Sequence, residues 1–378
     1  MLRTILTTAL LALAPLACSN AEKTSAPPAP MAVTATSEPW SLRNARVAIP
    51  RNERPATLTY FVRELGPDDL ARARAAAPHV TFVVGLSREE ALTRAAEAHG
   101  ADVFYATPEF LAAATNLRWV QAWSAGVDRF VVVDGMNDDR IVLTNMRGVH
   151  GPAIADHVMA LTLALTRSLP ASWDAQKRGV WDRGDVSPPR VALDGKTLLV
   201  VGLGGIGTEI AKRGHAFGMR VVATRRSAGP ATDPSMPCVE RIGRPQDLPA
   251  LVAEADVIAV AVPLTAETTG LFNADLLARC KSGAILINIA RGKVIDTDAL
   301  MAALRSGRLG AAGLDVTDPE PLPDGHPLWT VPNVVITPHV AGDAAITDRR
   351  ATEVFVENAR RFDAGEPLVN VVDKRAGY

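Results

Sequence analysis

Cysteine, charge of one sign and long apolar runs are what this chain has least of. Its 378 residues include 3 Cys, and Cys18 sits in the N-terminal segment, so only Cys238 and Cys280 remain for a folded body. Two thiols cannot build a disulfide scaffold. They could pair in an oxidising envelope, but Cys280 stands beside Leu276 and Leu277 in a helical stretch, where a thiol packs as a small hydrophobe. No Cys/His spacing resembles a metal site, so no metal is expected. Lys and Arg number 40 against 41 Asp and Glu, a formal net charge of −1, which removes the electrostatic case for nucleic acid. No repeat at solenoid spacing is present.

The apolar run Ile5 to Leu16 is too short to span a bilayer as a mature helix. With Met1-Leu2-Arg3 before it and small residues around Cys18, residues 1–21 read as an export signal. Leu16-Ala17-Cys18 points to a bacterial lipoprotein, lipid-anchored through Cys18, although Pro15 stands where an apolar residue is usual. Ordinary cleavage after Ser19-Asn20-Ala21 competes with that reading, and the protein is cytoplasmic if the signal is not used. Residues 22–41, rich in Ala, Pro, Ser and Thr, read as a linker.

Roughly 340 residues follow, enough for two domains of ordinary size. Strands are expected at Arg46–Ile49, Thr57–Val62, Val80–Val84, Val103–Tyr105, Trp119–Ala122 and Ile141–Leu143, with helical spacing in Pro67–Ala77 and Arg88–His99 between them. A long helix is expected at Pro152–Arg167, with Ile154, Val158, Leu161 and Leu165 as its apolar stripe. A second alternation runs through Thr197–Val201, Arg220–Ala223, Val257–Val262, Ile285–Ile289, Ala311–Leu314 and Val334–Ile336. A helix over Ala344–Asp363 and an extended Leu368–Val372 end it. Strands alternating with helices imply parallel sheets covered on both faces.

Directly after the first strand of the second set comes Gly202-Leu203-Gly204-Gly205-Ile206-Gly207. G-x-G-x-x-G is weak alone, but here it stands between a strand and a helix, as dinucleotide binding requires. Gly202 permits the turn, Gly204 lets the backbone approach a pyrophosphate, and Gly207 lets helix and strand pack closely. Gly205 and Ile206 open the helix whose free N–H groups favour an anion. An NAD site usually ends its second strand in Asp or Glu, for the ribose 2′-hydroxyl. Here Arg225 and Arg226 stand there with no carboxylate before Asp233, which favours NADP, with NAD possible. The bland alternative is that both arginines are solvated surface charge.

Three later segments each hold one residue suited to hydride-transfer chemistry: Asn288–Gly292 with Arg291, Leu314–Pro321 with Glu320, and Thr337–Gly342 with His339. A guanidinium can grip the oxygens of a keto acid, an imidazole can give or take the hydroxyl proton, and a carboxylate can fix the imidazole's tautomer. Each segment by itself is weak; a histidine after Thr-Pro is more often structural. In this order, behind a dinucleotide turn, they resemble the D-2-hydroxyacid dehydrogenase family, from about Leu42 to Val372.

The resemblance implies an α/β fold in which a Rossmann-type doubly wound cofactor domain, 149–339, is inserted into a flavodoxin-like substrate domain, 42–148 with 340–378. It implies reversible reduction of a 2-keto acid to the D-2-hydroxy acid, with Arg291, Glu320 and His339 catalytic. It places Pro263 beside the cofactor, and the Ala290 carbonyl and Asp315 on the nicotinamide carboxamide. The loop Ser124, Ala125 and Gly126 would hold the substrate carboxylate, consistent with its small residues forming an anion nest. With the 154–165 stripe it suggests a homodimer. Formate enzymes of this superfamily carry an amide at the Glu320 position, which disfavours that substrate. Trp123 reads equally as pocket wall or core, His150 and His326 as structural, and His157 as interface or core. The competing function is a non-catalytic dinucleotide-binding envelope protein.

Overall fold

The computed structural model describes residues 41–42, 44–183, 190–226 and 232–378. The expected export signal with Cys18, and the linker as far as residue 40, lie outside the described residues.

Two parallel sheets carry the fold. The first runs in the spatial order Val80–Val84, Leu58–Val62, Gly100–Asp102, Trp119–Gln121, Val142–Thr144. Along the chain that is 2-1-3-4-5, the flavodoxin-like order. The second starts from the central Thr197–Val201, flanked on one side by Arg220–Thr224 and Arg241–Gly243. On its other side lie Val257–Val260, Ala284–Asn288, Leu309–Leu314 and Val334–Ile336. That is the Rossmann order with one further strand. Its strand order reverses between Thr197–Val201 and Val257–Val260, which pair in parallel register from Leu198 beside Val257 to Val201 beside Val260.

The strands read as continuous apolar runs because both faces are covered. In Thr197–Val201 every residue is buried: Leu199 and Val201 enter one core layer, Leu198 and Val200 the opposite one. Helix Gly151–Thr166 lies on this sheet through Val158, Leu161 and Leu165. The helix Ala345–Ala364 instead returns to the first sheet, where Phe355 and Phe362 pack on Trp119 with ring centroids 6.0 and 5.2 Å away. Each such buried ring contributes about 1.5–3 kcal/mol, which fastens the end of the chain to its beginning.

Several local expectations are corrected. The strand expected at Val103–Tyr105 is a single 3-10 turn, and pairing occurs one step earlier at Gly100–Asp102. Gly100 lies so close under Tyr60 that a Cβ would stand 2.4 Å from the ring, so small residues rather than the bulkier run fit beside the neighbouring strand. Of Arg46–Ile49 only Arg46–Val47 pairs, antiparallel with Pro367–Leu368 and outside both parallel sheets. The helix expected over Arg88–His99 is Arg88–Thr93, opened by a Ser87/Glu90 capping box, followed by a short turn at Ala95–Glu97. The stripe linked to dimerisation is buried within the chain, with Val158, Leu161 and Leu165 at most 4 % exposed; it faces the sheet and cannot also face a partner. Cys238 and Cys280 are free thiols, Cys280 buried.

Candidate active site

The site residues stand where strands of both sheets end at their C-terminal edges, the ligand-binding edge of open α/β sheets. After Thr197–Val201 the chain turns through Gly202, whose φ of 105° favours glycine, into the helix Gly205–Ala216. A Cβ on Gly207 would sit 2.1 Å from the Gly202 carbonyl oxygen, whereas one on Gly204 would meet nothing within 4 Å. The turn is thus close-packed behind and open in front. A pyrophosphate fits there, against N–H groups that the helix itself leaves without partners.

In front of that turn lies a cleft of about 360 Å³. Gly204, Gly205, Ile206, Pro263 and Ala290 line it, and so do Ser124, Ala125 and Gly126 from the first sheet. Arg291, Asp315 and His339 line the same cavity. Residues far apart in sequence, from both sheets, therefore share one space. His150 lines it too, and burial lowers its pKa, favouring the neutral imidazole. Trp123 instead packs on Phe355, ring centroids 5.1 Å apart, on the core side. Among the described residues no group of His, Cys, Asp and Glu is placed to hold a metal ion.

His339 Nδ1 lies 2.7 Å from Glu320 Oε1. A carboxylate accepts only, so Nδ1 carries the hydrogen of this bond and Nε2 is left for a ligand. Both side chains stay open to solvent, 48 and 40 % exposed. The backbone beneath is held hard: His339 has a φ of 57°, uncommon outside glycine. Its N–H donates to the Asp315 carbonyl at 2.8 Å. The Asp315 carboxylate, 2 % exposed, accepts from Val340 N and Ala341 N at 3.0 Å each. Thr337 Oγ1 donates to it at 2.6 Å, and His157 Nε2 lies 2.9 Å from that hydroxyl. Since the Thr337 hydrogen goes to Asp315, His157 Nε2 is the donor of the second bond. Asp315 thus orders the loop that presents His339, a duty absent from the sequence reading, as is the His157–Thr337 link.

Arg291 reaches across to the first sheet. Its Nε donates to Asp128 Oδ1 at 3.0 Å, with Nη2 also 3.0 Å from that carboxylate, and Nη1 donates to the Ala290 carbonyl at 2.7 Å. Gly126 makes room, since a Cβ there would lie 1.8 Å from Nη2. Asp128 lies two residues beyond the Ser124–Gly126 loop, and nothing local in the sequence marks it as an arginine's partner. Ser124 Oγ donates to the Gly126 carbonyl at 2.7 Å, and Asn145 Nδ2 to that of Ala125 at 2.8 Å, which fixes the loop from within.

The two arginines after Arg220–Thr224 differ. Arg225 is half-buried and pairs with Asp233 at 3.3 Å, and among the described residues its buried Nε has no hydrogen-bond partner. Arg226 is exposed, and its guanidinium lies over the Tyr378 ring, 4.5 Å from the centroid. Tyr378 carries no signal of this in the sequence.

The glycine turn at a Rossmann crevice thus opens on a cleft lined by an arginine and by a histidine bonded to a carboxylate. Residues 159–341 match the family model of the D-isomer specific 2-hydroxyacid dehydrogenase NAD-binding domain. The glyoxylate reductase of Thermofilum pendens is 34 % identical over 273 residues, 70 % of this chain and 78 % of that protein. The D-3-phosphoglycerate dehydrogenase of Mycobacterium tuberculosis is 37 % identical over 301 residues, 79 % of this chain but 55 % of that protein. The chain thus spans about half the length of that relative. The crystal structure of a D-isomer specific 2-hydroxyacid dehydrogenase from Xanthobacter autotrophicus Py2, in complex with NADPH and MES, is 34 % identical. It superposes with a TM-score of 0.71, covering 86 % of this chain and all of that one. The chain belongs to the D-isomer specific 2-hydroxyacid dehydrogenase family and carries its NAD(P)-binding domain.

Proposed function

We propose that the cleft interconverts a 2-keto acid and the D-2-hydroxy acid, with NADPH as the preferred coenzyme and NADH as the lesser one. The observation that carries this reading is His339, which lines the cavity that Arg291 shares and is held 2.7 Å from Glu320 through Nδ1. The bound nicotinamide supplies or accepts the hydride at the substrate's C2. Arg291 holds the carboxylate and carbonyl oxygens, and the Ser124–Gly126 loop receives the carboxylate. His339 Nε2 gives the proton to the nascent hydroxyl, while Glu320 holds the ring through Nδ1 so that Nε2 faces the substrate. Assay of a panel of 2-keto acids with NADPH and NADH tests the reading; no turnover of any member overturns it in favour of a non-catalytic dinucleotide binder. Retention of Arg291, Glu320 and His339 together argues against that rival, since binding alone needs none of them.

NADPH preference rests on Arg225 and Arg226, in place of the carboxylate that a 2′-hydroxyl needs, and is supported by the NADPH bound in the Xanthobacter relative. The proposed assembly is a homodimer. It rests on the family resemblance and on Trp173, 48 % exposed just beyond the buried helix; a monomeric mass in light scattering at micromolar concentration refutes it. Export to a bacterial envelope, with a lipid anchor on Cys18, is proposed from residues 1–21 alone. Intact mass of the mature protein decides it: an acylated Cys18 start supports the anchor, a Glu22 start simple cleavage, and a retained Met1 neither.

A further inference from the structure

Residues 373–378 form neither strand nor helix, yet they are tied down. Lys374 Nζ donates to the carbonyls of Met136, Asp138 and Ile141 at 2.9, 2.6 and 2.9 Å, which fixes the segment beside the last strand of the five-stranded sheet. Asp373 accepts from Arg375 N and Ala376 N through its side chain at 3.1 and 3.0 Å. The backbone bonds from Gly377 N to Asp373 O, 2.9 Å, and from Asp373 N to Tyr378 O, 3.1 Å, close the loop on itself. Three donors on one ammonium and a folded-back turn hold the segment in one place.

From that anchor the segment crosses to the other sheet. Gly377 borders both the main cleft and a neighbouring cavity of about 940 Å³, which Arg226, Thr265 and Glu267 also line. Arg226 and Thr265 follow the second and fourth strands of the Rossmann order, on either side of the reversal point, where the adenosine half of a dinucleotide belongs. Tyr378 lines the main cleft, and its ring lies against the Arg226 guanidinium.

We propose that Tyr378 is a positioning residue for coenzyme choice: its ring seats the Arg226 guanidinium so that the N–H edge is presented to the 2′-phosphate of NADPH. This rests on the NADPH reading above. A guanidinium stacks by its plane and hydrogen-bonds by its edge, so one residue can do both at once. Arg225 cannot serve equally, because Asp233 already takes part of its edge. The competitor for Arg226 is Glu267, whose carboxylate is held below its ordinary range first by the Thr265 hydroxyl, which donates to it at 2.7 Å, then by its own backbone N–H, and least by the Arg226 charge. Without the ring, the long arginine side chain is free to swing toward that carboxylate and away from the phosphate.

The test is direct titration of the full-length protein with NADPH and with NADH, followed by nicotinamide fluorescence. An exposed cation–π contact predicts that Tyr378→Ala weakens NADPH about two- to fivefold and leaves NADH unchanged. Tyr378→Phe, which keeps the ring, binds both coenzymes as the native protein does. In an Arg226→Ala background, Tyr378→Ala adds nothing further. Equal weakening of both coenzymes makes Tyr378 a mere wall and overturns the proposal, as does unchanged NADPH affinity in Tyr378→Ala. A native protein that prefers NADPH and loses the preference in Arg226→Ala, but not in Tyr378→Ala, overturns this inference and leaves the NADPH reading standing. A native protein that binds NADH as tightly as NADPH overturns both.

Discussion

The cleft and the cavity beside it are built on different terms. In the cleft, the proposed nicotinamide end, each group is held by a partner fixed elsewhere in the fold. His339 is bonded to Glu320, its loop to the buried Asp315, and Arg291 to Asp128 on the opposite sheet. In the neighbouring cavity, the proposed adenosine end, Arg226 is exposed and lies over one aromatic ring, while Arg225 is tied to Asp233. Chemistry needs groups preorganised to within fractions of an ångström. Coenzyme selection needs only a favourable charge at one site, so the same protein leaves that end looser.

Breaking the nicotinamide end has the largest effect. His339→Ala lowers kcat by ~10²–10⁴-fold with coenzyme affinity nearly unchanged, measured by steady-state kinetics beside a binding titration. Full activity in that variant removes the histidine from the mechanism.

Next in size is the cross-sheet pair. Asp128→Ala leaves Arg291 without its anchor, and misplacing the fork by about an ångström costs up to ~10²-fold in kcat/KM. Asp128→Asn, which can still accept from Nε, recovers much of this. Wild-type kinetics in Asp128→Ala show that Arg291 is placed by its own loop instead.

The adenosine end yields a smaller and more selective effect. Native kcat/KM is expected to favour NADPH over NADH by more than tenfold in steady-state assays, since each arginine bonded to a 2′-phosphate would contribute roughly 1.5–3 kcal/mol. Arg225→Asp with Arg226→Ala erases or inverts the preference. Because Arg225 is partly engaged by Asp233, Arg226→Ala alone accounts for most of the change. A native enzyme that uses NADH equally well reduces both arginines to surface charge. The smallest effect is the two- to fivefold loss expected of Tyr378→Ala.

Much of this was legible in the chain, for reasons that differ by residue. Gly202, Gly204 and Gly207 announce themselves because a tight turn between strand and helix has a fixed spacing and tolerates few side chains. The apolar runs at Thr197–Val201 and Val257–Val260 read as strands because parallel sheets bury both faces. Gly100–Asp102 is not legible as a strand because it is short and built of small residues beside Tyr60, with no β-branched run to mark it. The stripe on Gly151–Thr166 is legible as a buried face, but the sheet of its own chain covers it. Periodicity shows that a helix has a buried side and says nothing of what buries it.

By itself the sequence determined the chemistry available and the edge at which it gathers. Arg291, Glu320 and His339 each follow a strand, and strand ends in a doubly wound sheet converge on one crevice. Only the tertiary structure decided how those groups are held. The Arg291–Asp128, His157–Thr337 and Arg226–Tyr378 contacts join residues more than a hundred positions apart. A spacing rule describes neighbours along a backbone of fixed geometry. Contacts at such separations depend on where two sheets and a returning chain end come to rest, and no local pattern encodes that.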